Sequence, residues 1–253
     1  MSREFMIANS FLIATQAALV AVVGRGVPRT LYRIAGRAWA LILPLSIAIV
    51  VAAIALVPEV ADALTWIALL LVPPGAALAL GWAMRGARPV YALLAVALLA
   101  FGWIETGTLA GDAAAAALTA LSTITLGRLL AGLVPGIWLK AGIVAMAIID
   151  AILVFGNQLQ GPNATLNAAI PAPGAPQLQY LELHYASMGY GDVFVAGVLG
   201  GVLAAEGARR APAAVLVLVF AILWDLLFLH FNTLPATVPV AATVVVLELR
   251  ARR

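Results

Sequence analysis

Residues 137–156 read IWLKAGIVAMAIIDAILVFG, a run of 20 residues in which Lys140 and Asp150 are the only charged side chains. A helix of roughly 20 mainly apolar residues spans the hydrocarbon core of a bilayer. A carboxylate inside such a helix costs on the order of 2.5–3.5 kcal/mol to insert, so it marks a candidate functional site. The stretch therefore predicts a membrane-spanning helix that carries Asp150 six residues before its end.

The whole chain shares this composition. Of its 253 residues, 64% are apolar and 10% are charged, whereas soluble domains average about 45–50% and about 25%. The absence of cysteine excludes disulfides, thiol catalysis and iron–sulfur clusters. The basic residues are scattered rather than gathered in one patch, so we expect no nucleic-acid partner. Glu182 and His184 are too few ligands for a metal ion, and no metal or organic cofactor is predicted.

Nine apolar segments predict an all-α polytopic membrane protein with a single transmembrane domain over residues 1–253. Spans one to five lie within 1–134, and spans six to nine lie within 135–253, which holds the candidate catalytic residues. The segment 157–185 is predicted to be a mobile loop outside the membrane. The predicted spans are 5–23, 38–57, 63–84, 89–107, 112–132, 137–156, 187–206, 211–231 and 234–249.

The basic residues predict the orientation, because cytoplasmic loops carry the excess of lysine and arginine. Threading nine spans across a bilayer leaves 13 of the 14 basic residues on one side, which predicts an outside N-terminus and an inside C-terminus. Thirteen arginines against one lysine suggest a GC-rich genome, so we expect a multi-pass protein of a prokaryotic cell membrane. The 13 residues are Arg25, Arg29, Arg33, Arg37, Arg85, Arg88, Arg128, Lys140, Arg209, Arg210, Arg250, Arg252 and Arg253.

A second acid, Asp192, lies in the seventh predicted span at the depth of Asp150. Both are roughly 8–9 Å below the outer interface at a rise of about 1.5 Å per residue. Spans six and seven are consecutive and antiparallel, so packing side by side would bring the carboxylates level. Such a pair holds a proton between its members and can activate a water by general acid and base catalysis. A third acid, Asp225 in span eight, is interpreted as a helix-packing or water-contacting group.

Short motifs surround the two aspartates. They are Asp150 followed by Val154-Phe155, the seventh-span sequence Gly189-Tyr190-Gly191-Asp192, and the start of span nine, Leu234-Pro235-Ala236-Thr237. At these residues the chain resembles the signal peptide peptidase and presenilin family of intramembrane aspartyl proteases. The marks of that family are an aspartate in the sixth span, Gly-x-Gly-Asp in the seventh and Pro-Ala-Leu at the ninth. The resemblance is best over 120–240, and Ile149 and Thr237 depart from the family's tyrosine and leucine.

The resemblance implies a presenilin-like bundle that hydrolyses peptide bonds within transmembrane helices or remnant signal peptides. Asp150 and Asp192 would be its catalytic pair, and substrate would contact residues 189–191 and 234–237. The predicted orientation resembles that of signal peptide peptidase, which implies single-span substrates with their N-termini inside.

Three alternatives stay open. The prepilin peptidases also use Gly-x-Gly-Asp, but a lysine usually follows two residues later, where this chain has Phe194, and they act at the cytoplasmic face. A transporter could use Asp150 and Asp192 as proton or cation carriers, although no internal repeat is visible. A family member without catalysis could simply hold other helices.

Overall fold

The computed structural model describes residues 3–26 and 34–252. Within these residues the main elements are ten α-helices and one antiparallel β-hairpin. In chain order they are α1 (Arg3–Val22), α2 (Ile42–Leu56), α3 (Val60–Leu78), α4 (Leu93–Ile104), α5 (Leu109–Leu133), α6 (Gly136–Phe155), α7 (Gln160–Ala168), β1 (Tyr180–Leu183), β2 (Ala186–Gly189), α8 (Tyr190–Ala205), α9 (Arg210–Asp225) and α10 (Val238–Ala251). Arg29, Arg33 and Arg253, which entered the orientation argument, lie outside the described residues.

Short helical turns lengthen four of these helices. Arg37–Leu41 precedes α2, Ala79–Ala83 follows α3, Pro89–Ala92 precedes α4, and Leu226–Leu229 follows α9. In the described part of the chain, six helical segments are long and apolar enough to cross a membrane: Arg3–Val22, Arg37–Leu56, Val60–Ala83, Leu109–Leu133, Gly136–Phe155 and Arg210–Leu229. The apolar helices Pro89–Ile104 and Tyr190–Ala205 are shorter. The chain is therefore mostly helical, with six helices of membrane-spanning length and composition.

Helix α8 occupies the centre of the molecule, and all of its residues from Val193 to Ala204 are buried. It packs closely on α5 because glycines face each other where the helices cross. A Cβ added to Gly127 would overlap the backbone carbonyl of Gly197, and one added to Gly197 would lie 2.5 Å from the carbonyl oxygen of Thr123. Small residues allow this approach of backbones in membrane helices.

The segment 157–185 is not a loop throughout, as the sequence analysis predicted it to be. It contains α7 and β1, and β1 pairs with β2 from Tyr180↔Gly189 to Leu183↔Ala186. Leu178 and Leu181 are buried, and the Thr119 hydroxyl donates to the Leu178 carbonyl at 3.2 Å. These apolar contacts with the bundle explain why the segment is ordered despite its four prolines.

At the opposite end, one ion-pair cluster joins three helices. Lys140 Nζ of α6 lies 2.7 Å from Glu206 Oε1, at the end of α8, and 2.6 Å from Glu248 Oε1 of α10. Val23, after α1, and Met84, after the turn Ala79–Ala83, form an isolated antiparallel bridge. The residues of 234–237 precede α10 rather than belonging to it, so the ninth helical segment begins four residues later than predicted.

Candidate active site

Asp150 lies on α6, five residues before the end of the helix, and is only 3% exposed. The hydroxyl of Thr237 donates a hydrogen bond of 2.6 Å to Asp150 Oδ2. Thr237 is fully buried, and it is the last residue before α10 begins at Val238. A buried carboxyl group needs such a partner, because a buried polar group without a hydrogen bond lowers the stability of the fold by about 1–3 kcal/mol, and a charged group by more.

Asp192 is the third residue of α8, so it sits in the first turn rather than five residues inside the helix. The Gly189 backbone N–H donates to Asp192 Oδ2 at 3.1 Å. An acidic residue at this position caps a helix by binding one of its free N–H groups. The β-hairpin leads directly into α8, and its Leu181 and Met188 are buried in the bundle.

The structure brings the two aspartates to one site. A Cβ added to Gly191 would lie 2.9 Å from Met146 Cε, and Met146 precedes Asp150 by one helical turn. The carboxylate of Asp150 is near enough to act electrostatically on Asp192. The packing of α6 on α8 thus achieves the side-by-side placement predicted from the sequence.

Both aspartates line a cavity of about 680 Å³. Five of the seven predicted substrate-contacting residues line it as well: Gly189, Tyr190, Gly191, Leu234 and Ala236. Pro235 and Thr237 are buried and are not among the lining residues. Thr237 faces Asp150 instead, so its side chain acts on the carboxylate and not on the cavity surface.

Gln16 on α1 is a site residue that the sequence analysis missed. Its side chain is 1% exposed, and Nε2 donates 2.9 Å hydrogen bonds to the backbone carbonyls of Asp192 and Ala236. One amide therefore connects the start of α8 to the segment before α10. Its Oε1 has no protein partner among the described residues, which leaves a free acceptor at the cavity wall. A glutamine in the first apolar span was the only available signal.

Two tyrosines also line the cavity. Tyr190 Oη lies 2.9 Å from Ser122 Oγ of α5. Tyr180 of β1 donates to Gln177 Oε1 at 2.5 Å. Burial, and secondarily the charge of Glu182, raises the pKa of Tyr180 above its ordinary value, so this phenol stays protonated and remains a hydrogen-bond donor.

Asp225 lies at the end of α9 and lines the same cavity. Asn9 Nδ2 of α1 donates to Asp225 Oδ2 at 2.5 Å. This contact agrees with the interpretation of Asp225 as a helix-packing group, since it joins α1 to α9.

Among the described residues, no group of three His, Asp or Glu side chains is arranged so that it could bind a metal ion. His184 Nδ1 lies 3.7 Å from Asp112 Oδ2, a single ion-pair contact.

Comparisons with family models, with curated proteins and with solved structures found no match to this chain. The functional argument therefore depends on the residues of the site.

Proposed function

We propose that this chain is an intramembrane aspartyl protease of the signal peptide peptidase and presenilin type. The observation that carries the proposal is the placement of Asp150 and Asp192, from separate apolar helices, in one cavity beside the 234–237 segment. The resemblance of three motifs to that family supports it further. Burying a pair of carboxylates inside an apolar bundle costs free energy, so such pairs typically occur where function requires them.

In the proposed mechanism the two carboxyl groups share one proton. The ionised member removes a proton from a water molecule, which attacks the carbon of the scissile amide. The protonated member donates to the carbonyl oxygen as the tetrahedral intermediate forms. The proton taken from the water then passes to the amide nitrogen, the C–N bond breaks, and a hydroxyl of the intermediate returns its proton to the dyad as the new carboxyl group forms. The pair titrates as a unit, so the two protonation states belong to the dyad and not to one residue.

The substrate helix has to unwind locally, because its own turns shield each peptide bond. Ala236 lines the cavity beside the dyad and belongs to the segment that precedes α10. We propose that an unwound segment pairs with this backbone, as an extended peptide adds to a strand edge. Gln16 fixes the 236 carbonyl by its hydrogen bond, so it would keep this backbone in position.

We further propose a nine-span topology with the N-terminus outside and the C-terminus inside, in a prokaryotic cell membrane. The three shorter helices α4, α8 and α10 would be the remaining spans, which together with the six longer ones make nine. The arginine distribution supports the orientation. In this arrangement the dyad lies near the outer face, and substrates are single-span helices with their N-termini inside.

The proposal is tested by reconstituting the purified chain in liposomes with a single-span test helix and identifying products by mass spectrometry. We expect Asp150→Asn and Asp192→Asn each to abolish cleavage and to leave the protein folded. An asparagine Oδ1 can still accept the hydrogen bonds from Thr237 and Gly189, so folding contacts are preserved.

Asp225→Asn is the matched control, because it removes a third carboxylate from the same cavity wall without touching the dyad. It should retain activity. Near wild-type cleavage by either dyad variant would reject the catalytic pair, and complete loss in Asp225→Asn would give the third acid a catalytic role.

A proton or cation transporter is the second candidate, favoured by the presence of three carboxylates around one cavity. The same liposomes distinguish the two functions. Proton flux that depends on Asp150 and Asp192, without any cleavage of the test helix, would favour transport.

A further inference from the structure

The end of the bundle remote from the dyad contains a second cavity, of about 520 Å³. Four arginines from four segments line it: Arg25 after α1, Arg85 after the turn that extends α3, Arg128 of α5, and Arg210 at the start of α9. We call it the arginine pocket. The remaining lining residues are Gly24, Trp82, Met84 and Gly86, so no acid of the described residues lines the pocket.

Arg128 forms the floor of the pocket and is 8% exposed. Its guanidinium donates to the carbonyls of Arg25, at 2.7 Å, and of Gly26 and Trp82. Its Cζ also lies 3.8 Å from the centre of the Trp82 ring. These contacts orient a buried positive charge without neutralising it.

The other arginines add charge in the same place. Arg210 donates to the Val23 carbonyl, and Arg25 and Arg85 are close enough to repel it electrostatically. Among the described residues the ion pairs involve Lys140 and His184 only. Glu206 and Glu248 are both engaged by Lys140, so residues 3–26 and 34–252 offer the arginine pocket no internal counter-ion.

We propose that the arginine pocket binds a phosphate group, either from the headgroup of an anionic lipid or as a free phosphate ion. The planar guanidinium fork matches phosphate oxygens in a bidentate geometry. Basic pockets between membrane helices on the cytoplasmic side bind anionic headgroups, and the proposed topology puts the arginine pocket on that side. A bound phosphate would relieve the repulsion among the four guanidinium groups.

The site is independent of the proposed protease activity, and its test measures binding. The purified full-length chain in detergent is titrated with dimyristoyl-phosphatidylglycerol or dimyristoyl-phosphatidylcholine, and bound lipid is counted by native mass spectrometry. In a parallel arm, the melting temperature of lipid-stripped protein is measured in sodium phosphate and in sodium chloride of equal ionic strength.

Arg85→Gln and Arg25→Gln are the test variants, since both side chains are exposed and line the pocket. Arg250→Gln is the matched control, an exposed arginine in the last turn of α10 that does not line the pocket. We expect each pocket variant to weaken binding about fivefold and the control to leave it unchanged.

Selective binding of phosphatidylglycerol that the pocket variants weaken would identify a lipid headgroup as the ligand. A phosphate-specific rise in melting temperature that the same variants remove would identify free phosphate. The proposal is overturned if neither arm gives binding, or if Arg250→Gln weakens it as much as Arg85→Gln does, because the effect would then come from surface charge in general.

Discussion

At the scale of single residues, the hydroxyl of Thr237 controls how Asp150 is held. The family that the chain resembles has leucine at this position, and leucine cannot donate a hydrogen bond. Here the 2.6 Å contact from Thr237 Oγ1 fixes the carboxylate beside the cavity. Thr237 therefore acts as a positioning residue in the proposed mechanism, through Asp150 and not through substrate.

Thr237→Val keeps the shape of the side chain and removes this donor. We expect the cleavage rate of the test helix to fall at least about tenfold, because a hydrogen bond to a charged group contributes about 1.5–3 kcal/mol. Thr237→Ser retains the hydroxyl and should retain most of the activity. Equal rates for the valine variant and the wild type would show that the hydrogen bond does not contribute to catalysis.

Ala236 offers a second test at this scale, since it lines the cavity beside the dyad. Ala236→Trp should block cleavage by filling the space that a substrate needs. Its melting temperature in detergent should change little, because the side chain would enter a cavity and not a packed core. Cleavage that persists, or that is lost together with stability, would leave the 234–237 segment only a structural role.

At the scale of elements, the crossing of α5 and α8 depends on the absence of side chains. Gly127→Ala would force its Cβ into the Gly197 carbonyl, so the helices would have to separate. We expect a destabilisation of about 1–3 kcal/mol, measured as a lower melting temperature and earlier aggregation on size-exclusion chromatography.

Gly161→Ala is the matched control for that change, because a Cβ there meets no atom within 4 Å. It should leave the melting temperature unchanged. If both alanine variants have the melting temperature of the wild type, α5 and α8 are not in close contact in the membrane.

The sequence predicted the helices better than it predicted the short elements. Long apolar runs such as 137–156 give helices because an apolar chain in lipid must satisfy its own backbone. The hairpin β1–β2 was missed because four residues per strand are too few for a clear alternation. Gln16 and Thr237 act on residues distant in the chain, and such contacts leave no local pattern.

At the scale of the whole molecule, the distribution of charge predicts which end faces the cytoplasm. The chain has no cysteine, so single-cysteine variants report accessibility without further engineering. Glu4→Cys and Ala164→Cys should react with a membrane-impermeant maleimide added to intact cells, and Arg252→Cys should react only after lysis. Labelling of Arg252→Cys in intact cells would overturn the span count and the preference for substrates with inside N-termini.

The Lys140 cluster limits how the bundle can deform. It ties α6, α8 and α10 together at the end away from the dyad, and these same helices carry or adjoin Asp150, Asp192 and Thr237. Asp150 lies ten residues from Lys140, or about 15 Å along the helix axis. The three helices are therefore joined at Lys140, so a tilt of one helix about that point changes their separation most at the aspartates. A tilt of roughly 10° increases the separation there by about 2.6 Å over this length, close to the diameter of a single water molecule.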